Sequence, residues 1–78
     1  MAKEENIVIL TFRLPESDRI RLEVYDVVGR RIAVLIDDEV AAGEHQIVYY
    51  VTGLSSGVYM YRLTSGMGSI NRKMVVTK

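Results

Sequence analysis

Apolar and polar residues alternate strictly over short stretches of this chain, and this alternation constrains its fold more than any other feature. Every second residue is apolar in segments 10–14 and 20–24. Successive side chains of a β-strand point to opposite faces of a sheet, so a period of two predicts strands with one buried face. A helix would place its apolar residues three and four positions apart, and neither segment has that spacing.

Turn-forming residues divide the chain into short segments at regular intervals. Pro15 fixes its own φ and ends the first strand, and Gly29 separates the second strand from the third. Acidic residues open a polar connection over 37–44, a loop rich in glycine and serine follows at 52–57, and 65–68 forms a tight hairpin turn. Strands are therefore predicted at 10–14, 20–24, 31–36, 45–51, 58–64 and 69–77.

Six or seven short strands with no helix between them predict an all-β, antiparallel sandwich or barrel. A length of 78 residues leaves room for a single domain. The alternation also predicts which side chains point inward. They are Leu10, Phe12, Leu14, Ile20, Leu22, Val24, Val34, Ile47, Tyr59, Tyr61, Leu63 and Met74.

The charges balance over the whole chain but not along it. Ten basic and ten acidic residues leave no overall field for nucleic acid or anionic lipid. Segment 62–78 nevertheless carries four basic residues and no acid, and segment 37–44 carries four acids and no base. Either pattern is consistent with a solvated surface or with a surface that steers a partner. The longest uncharged stretch, 46–61, is shorter than the roughly 20 apolar residues of a membrane-spanning helix.

The residues offer little for catalysis. The chain has no cysteine and a single histidine, His45, so disulfides, thiolate metal sites and a histidine-based metal centre are not expected. The acids of 37–44 do not have the spacing of a calcium loop, and no serine lies in a nucleophile motif. Tyr59 and Tyr61 share a face with Leu63, which favours a core over a base-stacking platform. We therefore expect no enzyme activity, no cofactor, no metal, no small-molecule substrate and no nucleic acid.

Five motifs follow one another in an order that is more specific than any of them alone. This succession resembles the type A C-terminal sorting domain of the bacterial Type IX secretion system, and it is similar to the immunoglobulin-like domain of the flagellar hook-cap protein. The likeness covers nearly the whole chain from Asn6 onward. The motifs are FRLPES at 12–17, VYDVVGRR at 24–31, AGEH at 42–45, GLSSGVYMYRL at 53–63 and RKMVVTK at 72–78.

The resemblance implies an immunoglobulin-like sandwich over residues 6–78, with 1–5 a linker or residues added for expression. It further implies the C-terminal part of a larger cargo protein that is exported, passing through the periplasm to the cell surface or medium. Its partners would be translocon proteins and a sortase-like surface protease. The family's recognition determinants map onto Gly57, Val58, Tyr59, Arg72, Lys73, Met74, Val75 and Lys78.

Two departures from the family pattern keep other functions open. Segment 1–6 lacks the usual Asn-Pro-rich sequence, and 49–52 reads YYVT where the family usually has Trp followed by Asp or Asn. One alternative is a structural or adhesive immunoglobulin-like module of a surface or flagellar assembly. Another is self-association, from a monomer to a weak edge-strand dimer, with Met67, Met74 and Tyr50 in the contact.

Overall fold

The computed structural model describes residues 6–77, and its secondary structure is entirely β. The strands pair antiparallel in two sheets, one of two strands in the order β1-β4 and one of four in the order β3-β2-β5-β6. The predicted all-β fold is confirmed, with six strands in the described part and the two-sheet arrangement of an immunoglobulin-like sandwich. The strands are β1 (Ile7–Leu14), β2 (Asp18–Tyr25), β3 (Arg31–Val40), β4 (Gly43–Tyr50), β5 (Gly57–Ser65) and β6 (Gly68–Val76).

The core lies between the two sheets and agrees with the sequence pattern at most positions. Buried Val51 and Val76 join it, although the alternation did not single them out. Phe12 is half-buried and stacks on His45, with ring centroids 5.3 Å apart. Six predicted inward residues are buried, namely Leu10, Leu14, Ile20, Leu22, Val24 and Met74, and four more are partly buried against the core, namely Ile47, Tyr59, Tyr61 and Leu63.

The prediction that Val34 points inward is wrong, because the pairing of β3 with β2 is irregular. Leu22 pairs with Ile36 whereas Glu23 pairs with Val34, so Leu35 is an extra residue in β3. An extra residue shifts the alternation of the strand that carries it. Val34 is consequently 45% exposed, and Leu35 and Ile36 pack against the core in its place.

The predicted polar connection over 37–44 is also wrong for most of its length. β3 continues through Val40 and β4 begins at Gly43, so only two residues lie between the strands. Aspartate disfavours strands in general, but β3 is an edge strand whose outer side chains meet water. Arg19 on the neighbouring strand also supplies an opposite charge, since its Nη2 lies 3.1 Å from Asp37 Oδ1. Pairing and charge thus extend the strand beyond its local preference.

Residues 6–77 form no helix that is long and apolar enough to cross a membrane.

Candidate functional site

β6 lies at one edge of the four-stranded sheet, and within residues 6–77 it pairs only with β5. Gly66 and Met67 form the loop between them, and Ser65 and Gly68 face each other across it. Residues that flank a two-residue loop exchange both backbone hydrogen bonds, and bonded pairs then alternate along the ladder. The even-numbered residues of β6 are therefore bonded to β5. The backbone groups of the odd-numbered residues point to the open edge: Ser69, Asn71, Lys73 and Val75.

Two of the sequence motifs meet on this ladder. Gly57, Val58 and Tyr59 open β5, directly opposite the last three residues of β6, Met74 to Val76. The hydroxyl of Tyr59 donates a 2.7 Å hydrogen bond to the carbonyl of Ser55, which holds the preceding loop against the strand. The structure thus brings together most of the positions that the family resemblance singles out.

The singled-out side chains differ in how far they reach the surface. Arg72, Lys73 and Val75 are exposed, and Met74 is 4% exposed and belongs to the core. Gly57 and Val58 are exposed and Tyr59 is half-buried. Lys78 lies outside the described residues. A partner docking on folded β6 would therefore meet mainly the arginine, the lysine and the valine.

The two faces of β6 present different side chains. Met74 and Val76 point into the core, so Ile70 and Arg72 stand on the same inner face by the period of two. Lys73 and Val75 stand on the outer face. Ile70 is 51% exposed although it is on the inner face, so the rest of residues 6–77 does not cover the inner face of β6 at this position.

A groove lies beside Ile70, between β1 and the β5–β6 hairpin. Its volume is about 450 Å³, and most of its lining residues are aliphatic or aromatic. Arg13 of β1 and Arg72 of β6 are the charged residues that line it. The complete lining is Leu10, Thr11, Phe12, Arg13, Leu22, Tyr61, Leu63, Ile70 and Arg72.

The outer face of β6 is tied to the rest of the sheet by Arg62 of β5. The Arg62 guanidinium lies over the Tyr25 ring, 5.1 Å from its centroid. The same side chain donates a 3.0 Å hydrogen bond from Nε to Asn71 Oδ1. Arg62 therefore links β2, β5 and β6 across the outer face, and it is not free to meet a partner in the way that Lys73 is.

The opposite end of the sandwich is built around Asp26. Its Oδ1 accepts hydrogen bonds from the amides of Val28 (3.1 Å) and Arg30 (2.9 Å), and its Oδ2 lies 2.9 Å from Arg30 Nε. The bond from the Arg30 amide, with help from the guanidinium, holds the pKa of Asp26 below its ordinary value. Gly29 has φ of +91°, a conformation that suits glycine. The VYDVVGRR motif is thus a carboxylate-organised turn, and with 53–59 it lines a shallow cavity of about 430 Å³.

Glu23 is a buried acid, 5% exposed, although the alternation over 20–24 turns it away from the core. Its Oε2 lies 3.1 Å from Nη1 of Arg31. Arg30 and Arg31 therefore each pair with a different carboxylate of the domain. The two arginines thus complete a turn and a sheet face.

The described residues offer no group of three acidic, histidine or cysteine side chains that could hold a metal ion. His45 Nε2 lies 2.7 Å from the carbonyl oxygen of Ala41, so this ring nitrogen takes part in a contact with the β3–β4 turn. The described residues form an immunoglobulin-like sandwich whose β6 edge carries two exposed basic residues, Arg72 and Lys73.

Comparison with known families agrees with that class. The family model for the secretion system C-terminal sorting domain matches residues 4–77, nearly the whole chain. The chain belongs to this family, the sorting domains of Type IX secretion, whose members serve as sorting signals on secreted proteins. Neither a search of curated proteins nor a search of solved structures gave a match.

Proposed function

We propose that this domain directs an attached cargo protein across the bacterial outer membrane because Type IX translocon proteins recognise its β6 edge. The observation that carries the proposal is the open edge of β6 in a chain that belongs to the sorting family. Main-chain groups of an unpaired edge can bond to an added strand, and exposed charged side chains orient it. The domain acts by binding alone, with no bond made or broken in it.

The placement of charge supports this mode of recognition. Arg72 and Lys73 are adjacent on β6 and project to opposite faces, so a partner on either face meets one cation. No ion pair involves either of them within residues 6–77. Complementary charge raises the association rate and selects the register of binding more than it raises affinity.

The other steps of export do not take place within this domain. The cargo reaches the periplasm by its own signal, and translocon proteins recognise the domain there. The protein then continues to the surface or the medium. A sortase-like surface protease then separates cargo from domain. In this scheme the folded sandwich is a handle, and Gly57–Tyr59 are the neighbours of β6 that a recognising protein also meets.

An export assay tests the proposal. The whole chain is fused behind a periplasm-directed fluorescent reporter in a bacterium with Type IX machinery, and reporter outside the outer membrane is measured. The host's own sorting domain is the positive control, and a version that ends at Asn71 removes the second half of β6. Export by the whole chain but not by the shortened one supports the proposal, and equal export by both contradicts it.

A second variant separates recognition from folding, because the shortened chain also loses buried Met74 and Val76. The double variant R72E/K73E reverses both exposed charges and keeps the core. We expect it to fold, as judged by circular dichroism, and to leave the reporter in the periplasm. Unchanged export by a folded R72E/K73E would remove the role of these charges.

A structural or adhesive module that self-associates is the second candidate. The observation that favours it is an apolar patch on the outer face of the two-stranded sheet, where Ile7 pairs with Tyr50 and Ile9 with Val48. All four are exposed, between 44% and 59%. Sedimentation of the chain beside a Tyr50→Lys variant tests it: concentration-dependent association that the variant abolishes supports this candidate, and two monomers exclude self-association through the patch.

A further inference from the structure

The groove beside β6 has the features of an acceptor for one more strand. It is bounded by the open edges of β1 and β6, which belong to different sheets. Val51 donates a backbone hydrogen bond to Asn6, so by alternation the backbone groups of Thr11 and Arg13 point away from β4 and towards the groove. Within residues 6–77 the groove thus has unpaired backbone on both sides and a largely apolar lining. This favours a peptide strand over an acyl chain, which needs no hydrogen-bond partners.

Arg72 determines which strands the groove can accept. A strand added beside β6 would place alternate side chains on the inner face, next to Ile70 and Arg72. A charged residue that points inward at a sheet edge disfavours pairing with strands in general, because most of them would bury its charge without a counterion. A strand with a carboxylate opposite Arg72 removes that penalty. The arginine thus excludes most strands and selects acidic ones.

Ile70 defines the second requirement. It lies two residues before Arg72 on the same face and is half exposed to solvent. An apolar side chain opposite Ile70 would cover it and fill the floor formed by Leu10, Leu63 and Phe12. The accepted strand therefore carries an acidic and an apolar residue two positions apart on one face.

We infer that the groove between β1 and β6 accepts an extended segment of a partner protein, which adds to the β6 edge with a carboxylate opposite Arg72 and an apolar side chain opposite Ile70. The inference rests on the proposed sorting function, since it describes the element by which the translocon would hold the domain. Two copies joined β6 to β6 would bring like charges together, which disfavours that arrangement. The β3 edge of a second copy carries Ile36 and Asp38 with the required spacing, and the test includes this occupant.

The test uses the whole 78-residue chain and two synthetic peptides. One has the sequence Thr-Val-Thr-Glu-Thr-Val-Thr, and its matched control has Lys in place of Glu. Binding is followed by amide hydrogen exchange and by NMR titration. We expect the acidic peptide to bind and to slow exchange at Asn71, Lys73 and Val75, whose amides face the open edge, while the amides already bonded to β5 change little.

Two substitutions on neighbouring residues give the matched comparison. Arg72→Gln removes the charge of β6 on the inner face. It should lower the affinity for the acidic peptide about fivefold, which is the upper range for one cross-strand pair. Lys73→Gln removes the same charge from the outer face and should change binding less than twofold. Filling the groove by Ile70→Trp should weaken binding even though all charges remain.

Three results would overturn the inference. The first is that the acidic peptide does not bind at about 1 mM, which is the local concentration that a tethered partner reaches. The second is that the lysine peptide binds as tightly as the acidic one. The third is that the Arg72 and Lys73 variants lose the same amount of affinity for the acidic peptide. A chain that self-associates, with the association lost in Asp38→Lys, assigns the groove to a second copy and also overturns it. The export assay tests the sorting function separately. If export requires β6 but the peptide does not bind, only the inference about the groove is wrong. If the peptide binds but the domain does not direct export, the proposed sorting function is wrong.

Discussion

The amide nitrogen of Gly66, in the β5–β6 loop, lies 2.9 Å from Oδ2 of Asp18 at the start of β2. These residues are 48 positions apart, and the contact fastens the free end of the edge hairpin to a central strand. A Cβ built on Gly66 would lie 3.1 Å and 3.3 Å from the two carboxylate oxygens. A larger residue at this position would therefore have to displace the Asp18 side chain.

This contact predicts a coupled pair of substitutions. Gly66→Ala should lower the free energy of unfolding by about 1 kcal/mol, because the methyl group pushes Asp18 away and weakens the hydrogen bond. In an Asp18→Ala background the same change should be nearly neutral, since the obstacle and the acceptor are both gone. Urea unfolding of the native chain, the two single variants and the double variant completes this double-mutant cycle. Equal losses in both backgrounds would mean that the glycine matters for its backbone alone.

The buried acid on the outer face predicts a difference between two adjacent arginines. Arg31→Gln should destabilise the domain by about 1 to 3 kcal/mol, because Glu23 is left buried without its cation. Arg30→Gln should cost less than about 0.5 kcal/mol, because the Arg30 side chain is 80% exposed. Thermal unfolding at neutral pH measures both. Recovery of stability in the double variant E23Q/R31Q would confirm that the uncompensated charge is the cause, and equal effects of the two single changes would argue against it.

Asp26 predicts a dependence of stability on pH. Its pKa in the folded state is lowered from 3.8, so the turn favours the ionised carboxylate. A group with a depressed folded pKa stabilises the protein above its unfolded pKa, and that contribution is lost as the pH falls through the folded pKa. The stability difference between the native chain and Asp26→Asn should therefore be constant from neutral pH down to about 4 and shrink below it. Denaturant midpoints measured from about pH 6 to about pH 2.5 test this, and a difference that grows on acidification would contradict it.

The shifted alternation in β3 predicts opposite sensitivities at two apolar positions. Leu22→Ala should cost about 2 to 5 kcal/mol, since Leu22 is 1% exposed in the core and its loss leaves a cavity. Val34→Ala should stay within about 0.5 kcal/mol, since its side chain is on the surface. Unfolding midpoints of the two variants decide whether the bulge exists in solution. A large loss of stability in Val34→Ala would indicate that β3 has the regular register that the sequence pattern suggests.

The parts of the fold that the sequence predicts are those that depend on local pattern. The period of two identifies β1 and β2 and their buried residues, and Gly29 marks a turn whose organiser, Asp26, lies within the quoted motif. The predictions for the middle and for the C-terminal end of β3 failed for a common reason. A bulge and the acidic end of an edge strand both depend on how β3 pairs with β2, and pairing is not a local property.

The candidate site divides in the same way. The motif order points to β6 and to Arg72 and Lys73, and the structure shows why the positions 57–59 accompany them, since they pair with its last residues. The groove was not foreseeable from the pattern. It lies beside Ile70 and Arg72, which are exposed on the inner face of β6, and how far one sheet covers another cannot be read from the alternation within one strand. Burial of Glu23 likewise depends on an arginine from the neighbouring strand.

The division of the sandwich into two sheets without a shared ladder also determines how the domain would respond to mechanical load. Within residues 6–77, β1 belongs to one sheet and β6 to the other, and no hydrogen-bonded ladder joins the sheets. A cargo that pulls on β1 while a holder grips β6 would draw the two layers apart. The resistance to this force then comes from the packing of apolar side chains such as Leu10, Leu22 and Val51. These contacts separate a few at a time, whereas the hydrogen bonds of a sheared ladder would break together. Such a handle would yield under tension along this axis more readily than its β-sheet content suggests.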